Sequence, residues 1–233
     1  MNFPENTEFG AGDRAVVEKY TREDLLHDLH GVKLTRVPGE KFSYSNVAVQ
    51  LLGLILERVY GKSYEELVRI KITGPLKMHD TKVALTAAEM AQMPKVYDGG
   101  AAFFPALSTQ LPAAASLKSS LSDLLKYLSW HIAEKDPAVI RTHQPAGTTV
   151  WREDNSYTVG LNWQILRSPD RRSIFTNGNV PGFHSEFIMF PELHLGIIVL
   201  TNEEEVANRT GLSALADQIA KAIDPRVAGV LQE

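Results

Sequence analysis

The sequence predicts an α+β fold: a helical region, then an antiparallel sheet with a helix at its carboxy-terminal end. Through about residue 135 the apolar residues recur at helical spacing, and from residue 148 onward they alternate with a period of two. Short turns separate the alternating runs, so a meander of neighbouring antiparallel strands is the natural topology. A chain of 233 residues can bury a sufficient core without covalent staples. Its 44% hydrophobic and 22% charged residues exclude wholesale disorder.

Taken in order, Met1 to Tyr20 reads as a polar segment. Residues 21–233 read as one domain, with the helical region at 21–135 and the sheet plus terminal helix at 148–225. Thr21 is placed to cap a short helix over 21–30, and Gly31 to stop it in the left-handed conformation. After a turn at Val37 to Lys41, Asn46 is the expected N-cap of a helix from Val47 to Tyr60 that Gly61 closes. Val47, Val49, Leu51, Leu52, Leu54 and Ile55 surround that helix, which predicts burial on all sides and cap residues at the wall of a cleft. Ser63 with Glu66, and Thr86 with Glu89, form capping boxes for two further helices. Gly74-Pro75 ends the first, and the second is expected over 87–93.

From Gly99 to Leu117 there is no charged residue, and the stretch is too irregular for a strand and too broken for a helix. Lids, pocket walls and plain linkers share that composition. Leu121, Leu124, Leu125, Leu128 and Ile132 then mark one face of a helix ending near Glu134. Tyr157, Val159, Leu161, Trp163 and Ile165 alternate as one strand, and Phe183 to Phe190 form a second, with Arg172–Thr176 strand-like between them. Leu195 to Leu200 reads as a third, buried on both faces. Leu212, Leu215, Ala216, Ile219 and Ile223 are spaced to lay the last helix flat on that sheet.

Charge narrows the function classes. Twenty-four basic against 28 acidic residues leave a net −4, without the basic footprint of a nucleic-acid binder. No apolar run reaches the length of a membrane span. The absence of cysteine removes disulfides, thiol catalysis and thiolate metal ligands. His27 and His30 stand three apart on the first helix, a spacing that can present two ligands, but no third can be named, so neither a metal nor a cofactor is expected. Met1 to Tyr20 carries no basic-then-apolar signal pattern, which makes cytoplasm the default for the chain as it stands and leaves its compartment unknown.

Four segments carry a resemblance. Pro38-Gly39-Glu40-Lys41-Phe42-Ser43-Tyr44-Ser45-Asn46 precedes the Leu-rich helix and Gly61-Lys62-Ser63-Tyr64. Ser116 to Leu124, Tyr157 to Trp163, and Thr176-Asn177-Gly178-Asn179-Val180-Pro181-Gly182-Phe183 follow in order. Together they resemble the class C β-lactamase-related serine hydrolases, a family that includes DD-peptidases and carboxylesterases. The resemblance implies a β-lactamase/transpeptidase-like fold and casts Tyr44 and Asn46 as the Tyr-x-Asn motif. There the tyrosine oxygen abstracts or relays a proton for a serine nucleophile, and the asparagine amide binds substrate. Local sequence alone gives the plainer alternative of a core-edge aromatic and a helix cap. Thr176, Asn177 and Gly178 stand where the family has its Lys-Thr-Gly or His-x-Gly triplet, as a substrate-binding wall with backbone N–H groups available to an oxyanion hole. His184, just beyond, is a candidate substrate-side cation in place of the one Thr176 lacks; a solvent-exposed strand histidine is the alternative.

The family's nucleophile is a serine followed three residues later by a lysine. No lysine in the 233 residues has a serine three positions before it. The expectation is a chain lacking the amino-terminal part of the family fold and both cations that would make a phenol basic. A phenol titrates near 10 unless neighbouring cations favour phenolate, so Tyr44 is expected to remain neutral and the isolated chain inactive. No Gly-x-Ser-x-Gly elbow offers a substitute nucleophile, and Ser43, Ser45, Ser119 and Ser120 read as caps and loop residues. Loss of the triplet cation points to esters or small amides rather than substrates held by a free carboxylate. Two readings stand: a carboxy-terminal portion of an acyl-serine hydrolase, completed by an amino-terminal fragment, or a non-catalytic relative that binds or docks a partner, itself included.

Overall fold

The computed structural model describes residues 21–33, 37, 39–40, 42–98, 100–103, 112–114, 116–147, 149–180, 182–204 and 209–227. The expected polar segment over residues 1–20 lies outside them. The chain divides into two compact units, residues 1–93 with 106–123, and residues 94–105 with 124–233.

In the first unit, α1 (Arg22–His30) opens with a reciprocal cap between Thr21 and Asp24. Gly31 keeps φ −83°, so this helix ends right-handed and without the expected left-handed stop. The next helix, α2 (Asn46–Tyr60), is capped by Ser45, whose hydroxyl accepts the Ala48 N–H at 3.2 Å. Asn46, expected as the cap, is instead the first helical residue, because the extended backbone of Ser45 lets its shorter side chain reach the third amide. Gly61 closes α2 in the left-handed conformation at φ 63°.

Burial of α2 also departs from expectation. Gln50, Gly53 and Leu54 are buried, whereas Leu52, Ile55 and Val59 are 55%, 50% and 70% exposed. Only one stripe packs. A Cβ on Gly53 would stand 2.4 Å from the Ala113 methyl, and the Gln50 amide oxygen accepts the Ala113 N–H at 2.9 Å. Both predicted capping boxes form, at Ser63 for α3 (Tyr64–Val68) and at Thr86 for α4 (Ala87–Met90), the latter shorter than expected. A π turn, Arg69–Thr73, carries α3 to Gly74.

The second unit holds two sheets. Strands β1 (Val96–Asp98) and β2 (Ala101–Phe103) pair antiparallel, so the uncharged stretch expected to be irregular opens as a strand. Most of its remainder falls outside the described residues. Helices α5 (Leu121–Ala133) and α6 (Pro137–Thr142) follow, with the boundary between units inside the first turn of α5. Then come β3 (Val150–Arg152), β4 (Asn155–Gly160), β5 (Trp163–Ser168), β6 (Arg171–Val180), β7 (Phe183–Phe190) and β8 (Leu195–Thr201), an antiparallel meander in sequence order.

The alternating run 157–165, expected as one strand, is two. Leu161 and Asn162 take φ of 40° and 82°, a two-residue hairpin turn that pairs Gly160 with Trp163 and so sets Tyr157 and Val159 on the face opposite Trp163 and Ile165. On β4 the buried positions are Ser156 and Thr158, not the apolar ones. Trp163, Ile165, Ile174, Phe187 and Met189 pack one face of the sheet against Leu128 of α5. Ile188, Phe190 and Ile197 pack the other against Ala216 and Ala220 of α7 (Arg209–Ile223). That helix therefore lies on the sheet through Leu212 and small residues, while Leu215, Ile219 and Ile223 turn outward. Among the described residues no helix is long and apolar enough to cross a membrane.

Candidate functional site

The predicted site residues fall into two groups, one in each unit. In the first unit the extended backbone of Ser45 (φ −155°, ψ 117°) sets the side chains of Tyr44 and Asn46 on the same side of the chain. The Tyr44 hydroxyl donates to Asn46 Oδ1 at 2.8 Å. Tyr44 is 53% exposed, so this contact is made at the surface.

Three of the serines near these motifs have structural partners. Ser45 is spent on the α2 cap. Ser119 shares a 2.7 Å hydrogen bond with the Thr81 hydroxyl. Ser120 donates to Asp80 and accepts the Asp123 N–H, opening α5. A groove of about 460 Å³ in this unit is lined by Glu65, Arg69, Thr73, His79 and Lys82, and neither Tyr44 nor Asn46 borders it.

In the second unit Thr176, Asn177 and Gly178 occupy the outer half of β6, opposite Phe187, Glu186 and Ser185. The register decides what each faces. Thr176 shares the α5 face with Phe187, while Asn177 and Asn179 share the α7 face with Glu186 and His184. A Cβ on Gly178 would stand 2.9 Å from Ser185 Oγ, so glycine lets the two strands approach there.

His184 is buried and lies on the face opposite Thr176. Its Nδ1–H donates to Asn179 Oδ1 at 2.7 Å, and its Nε2 stands 3.6 Å from Glu204 Oε2, beyond hydrogen-bond reach. The same carboxylate oxygen accepts the Gly182 N–H. Alternation thus sets His184 beside the β6–β7 turn, buried there rather than solvent-exposed.

Sequence reasoning missed Asn179, Glu204 and Glu186. Glu204 follows Gly182 by 22 residues, a separation that no local motif marks. Glu186 lies under α7, with the Ser213 hydroxyl donating to it at 3.0 Å, and burial pushes its carboxyl up to about 7. Of the two histidines three apart on α1, His30 bonds the Leu26 carbonyl through Nδ1 at 2.7 Å. Among the described residues no group of three acidic or histidine side chains could hold a metal.

Residues 2–221 match the Beta-lactamase family. The chain belongs to that family. Two curated relatives are each 26% identical: Protein flp of Staphylococcus aureus over 196 residues, and a D-aminopeptidase of Cereibacter sphaeroides over 205. They match 81% and 85% of this chain, which spans 39% of either relative's length. Among solved structures, a Beta-lactamase/D-alanine Carboxypeptidase from Yersinia pestis complexed with citrate superposes with a TM-score of 0.76 at 21% identity. That likeness covers 95% of this chain and 67% of the neighbour. A class C beta lactamase from Rhodobacter sphaeroides gives 0.71 at 22%, covering 87% and 66%. The fold is therefore β-lactamase/transpeptidase-like, and the chain spans about two-thirds of these neighbours.

Proposed function

We propose that this β-lactamase-family chain supplies the Tyr-x-Asn and substrate-strand parts of an acyl-serine hydrolase acting on an ester or small amide. The nucleophilic serine comes from residues outside these 233, and the chain alone does not turn over. The observation that carries the proposal is the 2.8 Å bond from Tyr44 to Asn46 beside a sequence without Ser-x-x-Lys.

In acylation the serine oxygen bonds to the carbonyl carbon and its proton passes to the tyrosine oxygen. The leaving alkoxide or amine takes up a proton as its bond to carbon breaks, and water reverses the sequence to free the serine. A neutral phenol is a poor proton acceptor, so the relay needs a neighbouring cation such as the lysine of the absent motif to favour phenolate. Thr176, Asn177 and Gly178 are proposed as the substrate strand, with His184 supporting their turn. The exposed row Leu52, Ile55 and Val59 supports the reading that further polypeptide covers α2.

The test is turnover of a chromogenic short-chain ester by the purified chain, alone and with a Ser-x-x-Lys fragment of a family relative added in trans. The expected result is turnover only with the fragment, abolished by Tyr44→Phe. Ester or β-lactam hydrolysis by the chain alone overturns the proposal. A fragment that binds without turnover, or a chain that only self-associates, favours the docking reading instead.

A further inference from the structure

A buried hydrogen-bonded chain in the second unit has no part in the function proposed above. His131 of α5 and His143, which ends α6, are 2% and 1% exposed. His131 Nδ1 lies 3.0 Å from His143 Nε2, and His143 Nδ1 lies 2.7 Å from Glu134 Oε1. Arg172 of β6 grips Glu134 with both terminal nitrogens, at 2.9 and 2.8 Å, and reaches Glu192 through Nε at 2.6 Å. The links run α5–α6–sheet.

The proton positions follow from the partners. The Glu134 carboxylate is held ionised by Arg172 and only accepts, so His143 Nδ1 carries a hydrogen. The neutral His143 ring then accepts at Nε2, and His131 must donate from Nδ1. That leaves His131 Nε2 as a bare acceptor, and it is buried without a hydrogen-bond partner. The rings of Tyr127, Trp130 and Trp163 surround His131, with centroids 4.5, 5.1 and 4.9 Å away.

We propose that the His131–His143 pair is an acid-released lock that fastens α5 and α6 to the sheet only while both rings are neutral. A proton on His143 Nε2 turns its hydrogen toward the hydrogen of His131 Nδ1. A proton on His131 Nε2 places an N–H among the three aromatic rings with no acceptor. One rearrangement keeps the 3.0 Å contact: cationic His143 donating to His131 in its other tautomer. It too leaves the His131 Nε2–H inside the aromatic enclosure. The other charged groups facing the pair are Glu134, Arg172 and Glu192; one guanidinium against two carboxylates leaves a net negative charge that favours a proton on His143, and burial outweighs it.

Burial carries the same sign. It holds His143 below the usual imidazole range and His131 down to about 3. The folded state therefore refuses protons that the unfolded chain accepts near 6.5, and stability present above that pH is lost as pH falls.

Two measurements test the lock. Amide hydrogen exchange of the full chain, corrected for intrinsic rates, reads protection over 124–143 from pH 7.5 to 5.5. Two excluded protons predict a fall of about a hundredfold in protection. Imidazole ¹⁵N NMR of the folded protein should show both rings neutral at pH 5.5 and hydrogen-bearing at Nδ1. The paired variant His131→Phe/His143→Gln, which cannot titrate, should lose the pH dependence. Should that variant fail to fold, the NMR titration of the native chain still decides: either ring titrating near 6.5 without loss of protection overturns the proposal.

Discussion

The two regions that carry chemistry-bearing residues differ in how they are held. Tyr44 and Asn46 are brought together by the extended Ser45 between them and joined by a hydrogen bond at the surface, within three residues. The second unit buries its polar groups and ties them over long separations: His131 to His143 across 12 residues, Arg172 to Glu134 across 38. Perturbed ionisation usually marks functional sites. Here it marks the packing of the second unit, where His131 lies among aromatic rings and Glu186 lies under α7, cross-strand from Asn177.

Substitutions can break or sharpen that contrast. The largest effect belongs to Arg172→Ala, which leaves Glu134 and Glu192 without their guanidinium. Breaking a largely buried pair should cost about 3 to 4 kcal/mol, read as a lower urea midpoint for the second unit. Glu186→Gln should work in the opposite direction. The native carboxyl ionises near 4.5 when unfolded and about 7 when folded, so the wild type loses stability as pH rises between those values and then levels off. The variant should gain about 3 kcal/mol above pH 7 and nothing at pH 4, measured by denaturation at both.

Gly182→Ala comes next. Its φ of 82° disfavours a side chain, and a Cβ there would stand 2.6 Å from Val96, so a loss of about 2 kcal/mol is expected in thermal unfolding. In the first unit the effects should be small. Ser45→Ala should cost about 1 kcal/mol through the α2 cap. Tyr44→Phe should change stability by less than about 0.5 kcal/mol, as suits an exposed group. A large destabilisation by Tyr44→Phe would erase the contrast between the regions.

How much the sequence revealed follows the range of the forces involved. The cap at Thr21 and the capping boxes at Ser63 and Thr86 were legible because the partners stand within three residues. The meander was legible from alternation and turn spacing. Which side of α2 or α7 turns outward was not, because burial depends on what packs against each helix, and small residues such as Gly53, Ala216 and Ala220 make the closest contacts. The Leu161–Asn162 turn was hidden because two non-glycine residues take positive φ without disturbing the apolar rhythm. Tyr44 and Asn46 were legible as a motif, but the Ser45 cap that aligns them was assigned to Asn46. His184 was found by position, and alternation set it opposite Phe183, but its burial was not legible. Glu204, whose carboxylate accepts the Gly182 N–H, sits 22 residues farther along the chain, beyond any spacing rule.

The central claim is that this polypeptide holds the tyrosine and asparagine of an acyl-serine hydrolase without the serine. Mass spectrometry of the intact protein after incubation with a reactive acylating probe, a fluorophosphonate and a fluorescent β-lactam in parallel, tests it most directly. The account predicts no covalent adduct on the chain alone. With a Ser-x-x-Lys fragment present, it predicts one adduct, on the fragment's serine, formed at least about a hundredfold more slowly with Tyr44→Phe. A stoichiometric adduct on any serine of the 233 residues, lost in Tyr44→Phe, would contradict it.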